Sequence, residues 1–373
     1  MINGERVKQA RELRGYTQTE LAGRVGVKQA AISQIEGGKT SPTQEVIEAV
    51  AFQTGFPIAF FRQTASIEFP LGSLLFRARA SITSRERDIA RQYGKLIFEI
   101  AEKMERQFDS RPFRLPKVSN LTPSYAAQLT RSELGLSPDT PIQHLVNVLE
   151  KNGILVLVLP KPLPEYDAYS VWIVSDAPRP VIVISGETSG DRLRFNVAHE
   201  LGHLVMHHSI KGDLSTIEQE ANLFAGEFLV PEVTARQDLI LPVTLSSVAN
   251  LKPKWKVSMQ VLIRRALDLE IITYRQYVYL IKQISIRGWR KKEPNNLDIP
   301  IEKPRALRQM TEVIYGVPLD YKKIAEEMNI SAQLAQEIFE AHTPSNREVQ
   351  THSGAEKAKI LMFSRKKKFP ENI

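Results

Sequence analysis

Apolar residues near the start of the chain recur every three or four positions, in short sets separated by glycines. This spacing places them on one face of a helix. Val7, Ala10 and Leu13 predict a first helix that ends near Gly15. Three further sets follow the same rule: Leu21, Ala22 and Val25; Val27, Ile32 and Ile35; and Val46, Ile47, Val50 and Ala51. We therefore expect an all-α domain of five short helices over residues 1–66.

The second and third of these helices are joined by a turn at Gly26. The third has small and amide side chains on the face opposite its apolar residues. This arrangement is typical of a helix-turn-helix that enters the major groove of DNA. The alternative, a module for protein docking, is less consistent with such a small, polar surface. Base contacts are expected from Gln29, Ala30, Ser33 and Gln34, and phosphate contacts from Gln18, Lys28 and Lys39.

This segment resembles the XRE (Cro/C1-type) repressor family. The matching residues are Thr17-Gln18-x-x-Leu21-Ala22, Gly26-Val27, Ile32-Ser33-x-Ile35-Glu36-x-Gly38 and Pro42. Lys28 departs from the pattern, because the family often has a capping serine at this position. The resemblance implies double-stranded operator DNA as a partner. Operators of this class are usually pseudo-palindromic, which favours a homodimer.

A helical linker is predicted over residues 67–118. From Ile82 to about Phe108 apolar residues again recur at helical spacing, with charged residues between them. A long amphipathic helix can pair with its copy in a second subunit, or it can pack on its own chain. The sequence leaves both arrangements open.

Apolar runs beyond residue 119 predict a small sheet. The first run, Ile154–Leu159, is continuously apolar, which is typical of a buried strand. Two more strands are expected around Ala168–Val174 and Val181–Ile184. A helix should follow, capped by Ser189 or Asp191.

Candidate chemistry is concentrated in that following helix. It contains His199-Glu200-Leu201-Gly202-His203 within an apolar run. Residues four apart lie on one face of a helix, so His199 and His203 can direct two imidazoles at one metal ion. Glu200 lies beside them, where a carboxylate can take a proton from a metal-polarised water.

A catalytic zinc site needs a third protein ligand. His207 is too far along a straight helix from the first histidine, at about 12 Å between Cα atoms. A second amphipathic helix follows, and Glu218 on it is preferred over the competing acids Glu220 and Glu227. Asn222 lies one turn from Glu218, where it can hydrogen-bond a ligand histidine. His207 is expected to support the site without binding the metal.

Together these residues resemble the ImmA/IrrE family of zinc metallopeptidases. The match comprises His199-Glu200-Leu201-Gly202-His203, Glu218-x-x-Ala221-Asn222-x-Phe224-Ala225 and Phe228-Leu229-Val230-Pro231, with Arg192, Arg194, Phe195 and His207 around them. The resemblance implies a zinc ion held by His199, His203 and Glu218. It also implies that Glu200 is the catalytic base. In relatives the peptidase cuts an XRE-type repressor, so the implied substrate is a protein.

The expected fold is multidomain and mainly α. After the helix-turn-helix domain and the linker, we predict an α+β zincin-like metallopeptidase domain with a small sheet over residues 119–235. A helical C-terminal domain over 236–345 and a basic, flexible tail over 346–373 should follow. Residues 319–341 show a second helix-turn-helix-like pattern. Its outward glutamates would repel phosphate, so packing is the preferred role.

Composition narrows the class of protein. The 42% hydrophobic and 25% charged residues are typical of a globular chain, and no apolar run is long enough to span a membrane. The absence of cysteine excludes disulfides and thiolate zinc sites. The first residues do not resemble a signal peptide, so a cytoplasmic protein is expected. A net charge of +8 suits a nucleic-acid partner.

These features predict a DNA-binding transcriptional regulator with a zinc-dependent endopeptidase domain. Its substrate is expected to be a repressor or an antitoxin in a stress, mobile-element or toxin–antitoxin response. The competing hypothesis is a transcription factor without turnover, whose metal domain senses a small ligand such as an acyl-CoA. An intact Glu200 favours the peptidase hypothesis. Fusion to a DNA-binding domain favours a regulator for which proteolysis is not the only task.

Overall fold

The structure is a computed structural model. It describes residues 1–64, 69–70, 83–108, 112–118, 120–160, 167–173, 178–185, 188–207 and 213–343. The predicted tail over 346–373 and residues 71–82 of the predicted linker lie outside these ranges. None of the helices in the described ranges has both the length and the apolar character that crossing a membrane requires.

The N-terminal domain contains four α-helices and one 3-10 helix. They are α1 (Gly4–Leu13), α2 (Gln18–Val25), α3 (Gln29–Glu36), α4 (Gln44–Thr54) and the 3-10 helix Ile58–Arg62. The fifth predicted helix is therefore a 3-10 helix, of five residues, that buries Phe60 and Phe61. Segments this short commonly take the tighter 3-10 form.

Local sequence sets both ends of α2. The Thr17 hydroxyl accepts from the backbone N–H of Glu20, and the Glu20 carboxylate accepts from the backbone N–H of Thr17. This reciprocal capping box starts the helix. Gly26 ends it with a φ of 74°, a left-handed conformation that glycine adopts without strain. The turn between α2 and α3 is thus specified by residues inside the turn itself.

The linker helix α5 (Ser84–Glu105) packs on its own chain. Its apolar face lies in one core with residues of α1. Across this contact Arg6 donates to Glu99 at 2.6 Å, and Gln92 donates to Glu12 at 2.6 Å. Because the face is already covered, the structure favours packing over pairing with a second copy. The homodimer expectation then depends only on operator symmetry.

A three-stranded sheet lies in the described residues. Its strands are β1 (Leu155–Leu159), β2 (Ala168–Ile173) and β3 (Arg179–Ser185), in the order β1-β3-β2. β3 pairs parallel with β1 and antiparallel with β2. All three predicted strands are present, with ends within two residues of those expected.

Side chains alternate between the two faces of this sheet and join two separate cores. Leu157, Tyr169 and Val183 belong to the first core, which also contains the apolar faces of α1 and α5. Val156 and Ile182 belong to the second core. The sheet therefore separates the N-terminal helices from the helices that carry the histidine motif.

The remaining helices follow the predicted mainly α pattern. They are α6 (Pro123–Glu133), α7 (Leu145–Lys151), α8 (Gly190–Met206), α9 (Leu214–Leu229), α10 (Glu232–Asp238), α11 (Leu245–Trp255), α12 (Met259–Asp268), α13 (Tyr274–Ile286), the 3-10 helix Asn295–Leu297, α14 (Ala306–Tyr315), α15 (Tyr321–Met328) and α16 (Ala332–Ala341). A helix-turn-helix unit, a three-stranded sheet and a helical C-terminal region confirm the predicted fold class.

A buried group of charges anchors the start of α8. Ser189 is the N-cap residue, but its side chain makes no capping bond. Asp191 in the first turn accepts from Lys252 at 2.5 Å, and Lys252 also donates to Glu293 at 2.6 Å. All three charged side chains are buried, so each needs its partners. The lysine thereby holds the beginning of α8 against α11.

The second helix-turn-helix-like pattern is formed by α15 and α16. Asn329 makes the turn between them in a left-handed conformation, with a φ of 54°. Ile324, Leu334 and Ile338 on the inner faces of these helices join the first core. The pair thus packs against the sheet side of the protein, in the packing role that we predicted.

His342 ends α16 and is fully buried. Its Nε2 accepts from the backbone N–H of Val158 on β1, at 3.0 Å. Its Nδ1 lies 2.7 Å from the carbonyl oxygen of Ile338, so the proton of a neutral ring belongs on Nδ1. Burial lowers the pKa of His342 to about 4.

Acidification should destabilise the fold through His342. In the unfolded chain a histidine has a pKa of about 6.5. Between this pH and about 4 the unfolded state binds a proton at His342, whereas the folded state does not. The free energy of unfolding should therefore fall by up to about 3 kcal/mol as the pH drops from about 6.5 to about 4. Urea titrations across this range measure it. His342→Gln should show a smaller dependence on pH, and an equal dependence in both proteins would contradict the assignment.

Candidate metal centre and nucleic-acid interface

The two histidines of the motif meet on the buried face of α8. Their Nε2 atoms lie 3.1 Å apart, and the rings are close to perpendicular, with an interplanar angle of 79°. Both side chains are buried. Helical spacing alone brings these rings together, because residues four apart stack on one face.

Glu218 reaches the same point from α9. Its Oε1 lies 3.2 Å from Nε2 of His203, and its Oε2 lies 3.4 Å from Nε2 of His199. The two helices can approach closely because Gly202 has no side chain: a Cβ there would lie 3.0 Å from a ring carbon of Phe224. The glycine inside the motif thus permits the contact that delivers the third candidate ligand.

The donor atoms of these three side chains suit a zinc ion. One donor atom from each lies within 4.8 Å of the others. A tetrahedral ion with ligands at about 2.1 Å separates its donors by about 3.4 Å, which is close to the observed separations. Two imidazoles and a carboxylate are also a common donor set of catalytic zinc. The structure thus brings together the predicted ligands, and their binding of zinc stays a prediction.

The Glu218 carboxyl is held in its charged form. Partial burial by itself would raise its pKa, but hydrogen bonds from His199 and His203 oppose this effect. The pKa of Glu218 therefore lies well below its usual range. An ionised carboxylate is the form that binds a metal cation.

The outer nitrogens of the two rings also have partners. His199 Nδ1 lies 3.0 Å from Oδ1 of Asn222, and His203 Nδ1 lies 3.0 Å from Nδ1 of His207. If each Nε2 binds a metal, each Nδ1 carries a proton and donates it to these partners. Both residues that we predicted to support the site are therefore placed to orient a ligand ring.

The two competing acids of α9 have other partners. Glu220 lies 3.0 Å from Nε2 of His207, which extends the chain of contacts behind His203. Burial lowers the pKa of His207, while the contact with Glu220 opposes this effect. Glu227 forms a buried ion pair with Arg265. These contacts agree with the predicted preference for Glu218 over Glu220 and Glu227 as the third candidate ligand.

Glu200 has no exposed surface. Its Oε2 accepts a hydrogen bond from the hydroxyl of Ser170 on β2, at 2.9 Å. Ser170 was not among the predicted site residues. The only signal for it was a hydroxyl within a strand whose neighbouring residues are predicted to be buried.

The predicted DNA-contacting residues share one surface of the N-terminal domain. α3 buries Ile32 and Ile35 and presents its opposite face to solvent. The N-cap residue Lys28 makes no side-chain capping bond. The exposed residues are Lys28, Gln29, Ala30, Ser33, Gln34 and Lys39, and Gln18 is half-buried. Their arrangement is compatible with groove binding, and the individual contacts stay predictions.

A hydrogen-bonded chain holds part of this surface. Gln29 donates to Gln18 at 2.7 Å, and Gln18 donates to Glu36 at 2.8 Å. Glu36 also accepts two bonds from Arg11, at 2.5 and 3.0 Å. Arg11 and Glu36 are both buried, and Arg11 was not singled out from the sequence. They connect the recognition helix α3 to α1.

Comparison with known proteins identifies two domains. The family described as "Helix-turn-helix" matches residues 7–61, and the family described as "IrrE N-terminal-like domain" (Peptidase M78) matches residues 149–267. No curated protein gives a significant match. A solved structure, "Crystal Structure of Bacillus thuringiensis PlcR in complex with the peptide PapR7 and DNA", covers 94% of this chain and 99% of its own at 13% identity. Its TM-score is 0.16, so that likeness supports no argument.

The two domain matches confirm both resemblances that the sequence suggested. They fall on the segments that contain α2, α3 and the histidine motif. The chain thus carries an XRE-type helix-turn-helix domain at its N-terminus and, further along, an IrrE N-terminal-like domain of the M78 metallopeptidase type.

Proposed function

We propose that this protein is a DNA-binding transcriptional regulator with a zinc-dependent endopeptidase domain. The observation that carries the proposal is the convergence of His199, His203 and Glu218 beside a buried Glu200. Two neutral imidazoles and one carboxylate supply a single negative charge, which leaves a bound zinc ion positively charged and able to polarise water.

Each side chain has a distinct part in the proposed reaction. His199, His203 and Glu218 would hold zinc, which supplies Lewis acidity to water or to a peptide carbonyl. Glu200 would accept a proton from the attacking water and return it to the departing amine.

The proposed substrate is another protein, a repressor or an antitoxin. The DNA-binding domain supports this choice, because it would concentrate the peptidase near other proteins bound to the same DNA. A stress, mobile-element or toxin–antitoxin response is the setting in which such a cut would release transcription.

A non-proteolytic regulator is the second candidate function. It is favoured by the first core, which runs without interruption from α1 through α5 to the sheet. A ligand bound at the metal domain would act on the DNA-binding helices through this core, because packed interiors transmit displacement.

Two measurements on the purified full-length chain distinguish the endopeptidase from the non-proteolytic regulator: its metal content and its cleavage of protein substrates. We expect about one zinc per chain. We also expect cleavage of fluorescein-labelled casein, or of XRE-type repressors encoded in neighbouring genes, that stops on chelation and returns with added zinc. Bound zinc without cleavage of any of these substrates would refute the peptidase and support the ligand-sensing regulator.

A further inference from the structure

Ser170 is a buried serine on β2, beside the helix that carries the histidine motif. Its side chain is 2% exposed, and its hydroxyl donates to Glu200 Oε2 at 2.9 Å. A buried carboxylate is costly without hydrogen-bond donors. The contact therefore gives one oxygen of the buried Glu200 carboxyl, to which we assign the base role, a hydrogen-bond donor.

The alternation of β2 determines that Ser170 faces α8. Tyr169 and Val171 on either side of it belong to the first core, with α5. Ile182, which pairs with Ser170 across the sheet, belongs to the second core, with α8. Apolar residues predominate on this second face. Ser170 is a polar residue on this mainly apolar face, and its hydroxyl donates to Glu200.

A second bond fixes how β2 lies along α8. The indole N–H of Trp172 donates to the carbonyl oxygen of Leu204, at 3.0 Å. Two residues along a strand advance about 6.6 Å, and four residues along a helix, from Glu200 to Leu204, advance about 6 Å. The two bonds thus join same-face residues of β2 to residues one turn apart on α8, which sets the position of the strand along the helix.

We propose that Ser170 is a positioning residue for Glu200, an inference that rests on the proposed peptidase function. A glutamate side chain has three rotatable bonds, and α8 by itself fixes only where it begins. The Ser170 hydroxyl holds Oε2 in place, which orients the whole carboxylate relative to His199 and His203. A base acts efficiently only from a defined place, since displacements near 1 Å can slow a reaction about 100-fold.

A purely structural role would give different results. In that case loss of the hydroxyl would lower stability or zinc content, and the rate would fall only as folded protein is lost. A positioning role lowers kcat in folded, zinc-loaded protein and leaves KM unchanged, because Ser170 does not contact substrate.

The experiment compares Ser170→Ala, Ser170→Cys and Ser170→Thr in the full-length chain. The assay is hydrolysis of an internally quenched peptide that the wild type selects from a random library. We expect Ser170→Ala to lower kcat between about 10- and 100-fold, with KM and zinc per chain unchanged. Ser170→Cys keeps the side chain's size with a weaker donor, and it should also be slow. Ser170→Thr keeps the hydroxyl and should restore most of kcat.

Thr130→Val is the matched control, because it removes a buried hydroxyl that donates to a carbonyl of its own helix, at Ala126. It should leave kcat unchanged. A wild type that cleaves no peptide overturns the proposed function, and this inference with it. A wild type that cleaves while both Ser170→Ala and Ser170→Cys keep full kcat overturns this inference alone. Loss of zinc, or failure of Ser170→Thr to recover kcat in folded protein, also overturns it.

Discussion

Replacing Glu200 by glutamine should slow proteolysis about 100-fold or more and leave the metal in place. Gln has the size of Glu and keeps an oxygen that can accept from Ser170, so the local packing is preserved. It cannot accept the proton of an attacking water. General bases contribute about 100- to 10,000-fold to rate, and we expect a loss within that range. Zinc per chain and cleavage of labelled casein by wild type and Glu200→Gln measure both effects.

The control for this variant is Glu232→Gln, which removes a carboxylate of α10 that bonds to Arg236 at 2.8 Å. Its cleavage rate should equal that of the wild type. Unchanged cleavage by Glu200→Gln would refute the base role. If Glu200→Gln lost zinc together with activity, the residue would act in holding the metal, and the division of roles proposed here would be wrong.

Truncating Glu36 should destabilise the N-terminal domain and impair DNA binding. Glu36→Ala removes the two bonds, at 2.5 and 3.0 Å, that the buried guanidinium of Arg11 donates to Glu36. Removing one partner of a buried ion pair costs about 3 kcal/mol or more. The chain from Glu36 through Gln18 to Gln29 is broken as well, so we expect DNA affinity to fall at least tenfold. Thermal unfolding and binding to duplexes selected by the wild type from a random library measure these changes.

Two further variants separate folding from recognition. Glu45→Ala removes an exposed carboxylate from the first turn of α4, so it should cost at most about 1 kcal/mol of stability and leave DNA binding unchanged. Gln29→Ala removes an exposed side chain of α3, so it should weaken DNA binding while the free energy of unfolding stays the same. Full stability of Glu36→Ala would show that Arg11 finds other partners, and it would remove the structural reason for the expected loss of binding.

The sequence by itself determined those features whose interacting groups lie close together along the chain. The capping box at Thr17, the turn at Gly26 and the spacing of His199 and His203 involve groups at most four residues apart. Each of these features therefore forms from its own segment. The same holds for the three strands, because alternation and apolar runs are local properties. For these reasons the sequence predicted both the helix-turn-helix and the helix that carries the histidine motif.

Choices between distant partners were decided only by the tertiary structure. The sequence favoured Glu218 among the acids on α9, but the contact itself depends on the approach of α9 to α8 at Gly202, which brings this carboxyl to the histidines. The bond from Ser170 to Glu200 spans 30 positions, and that from Arg11 to Glu36 spans 25. Helical periodicity showed that α5 has an apolar face, while the packed core showed what covers it. A periodic pattern identifies which face of an element is buried, but the partner of that face depends on how separate elements pack in three dimensions.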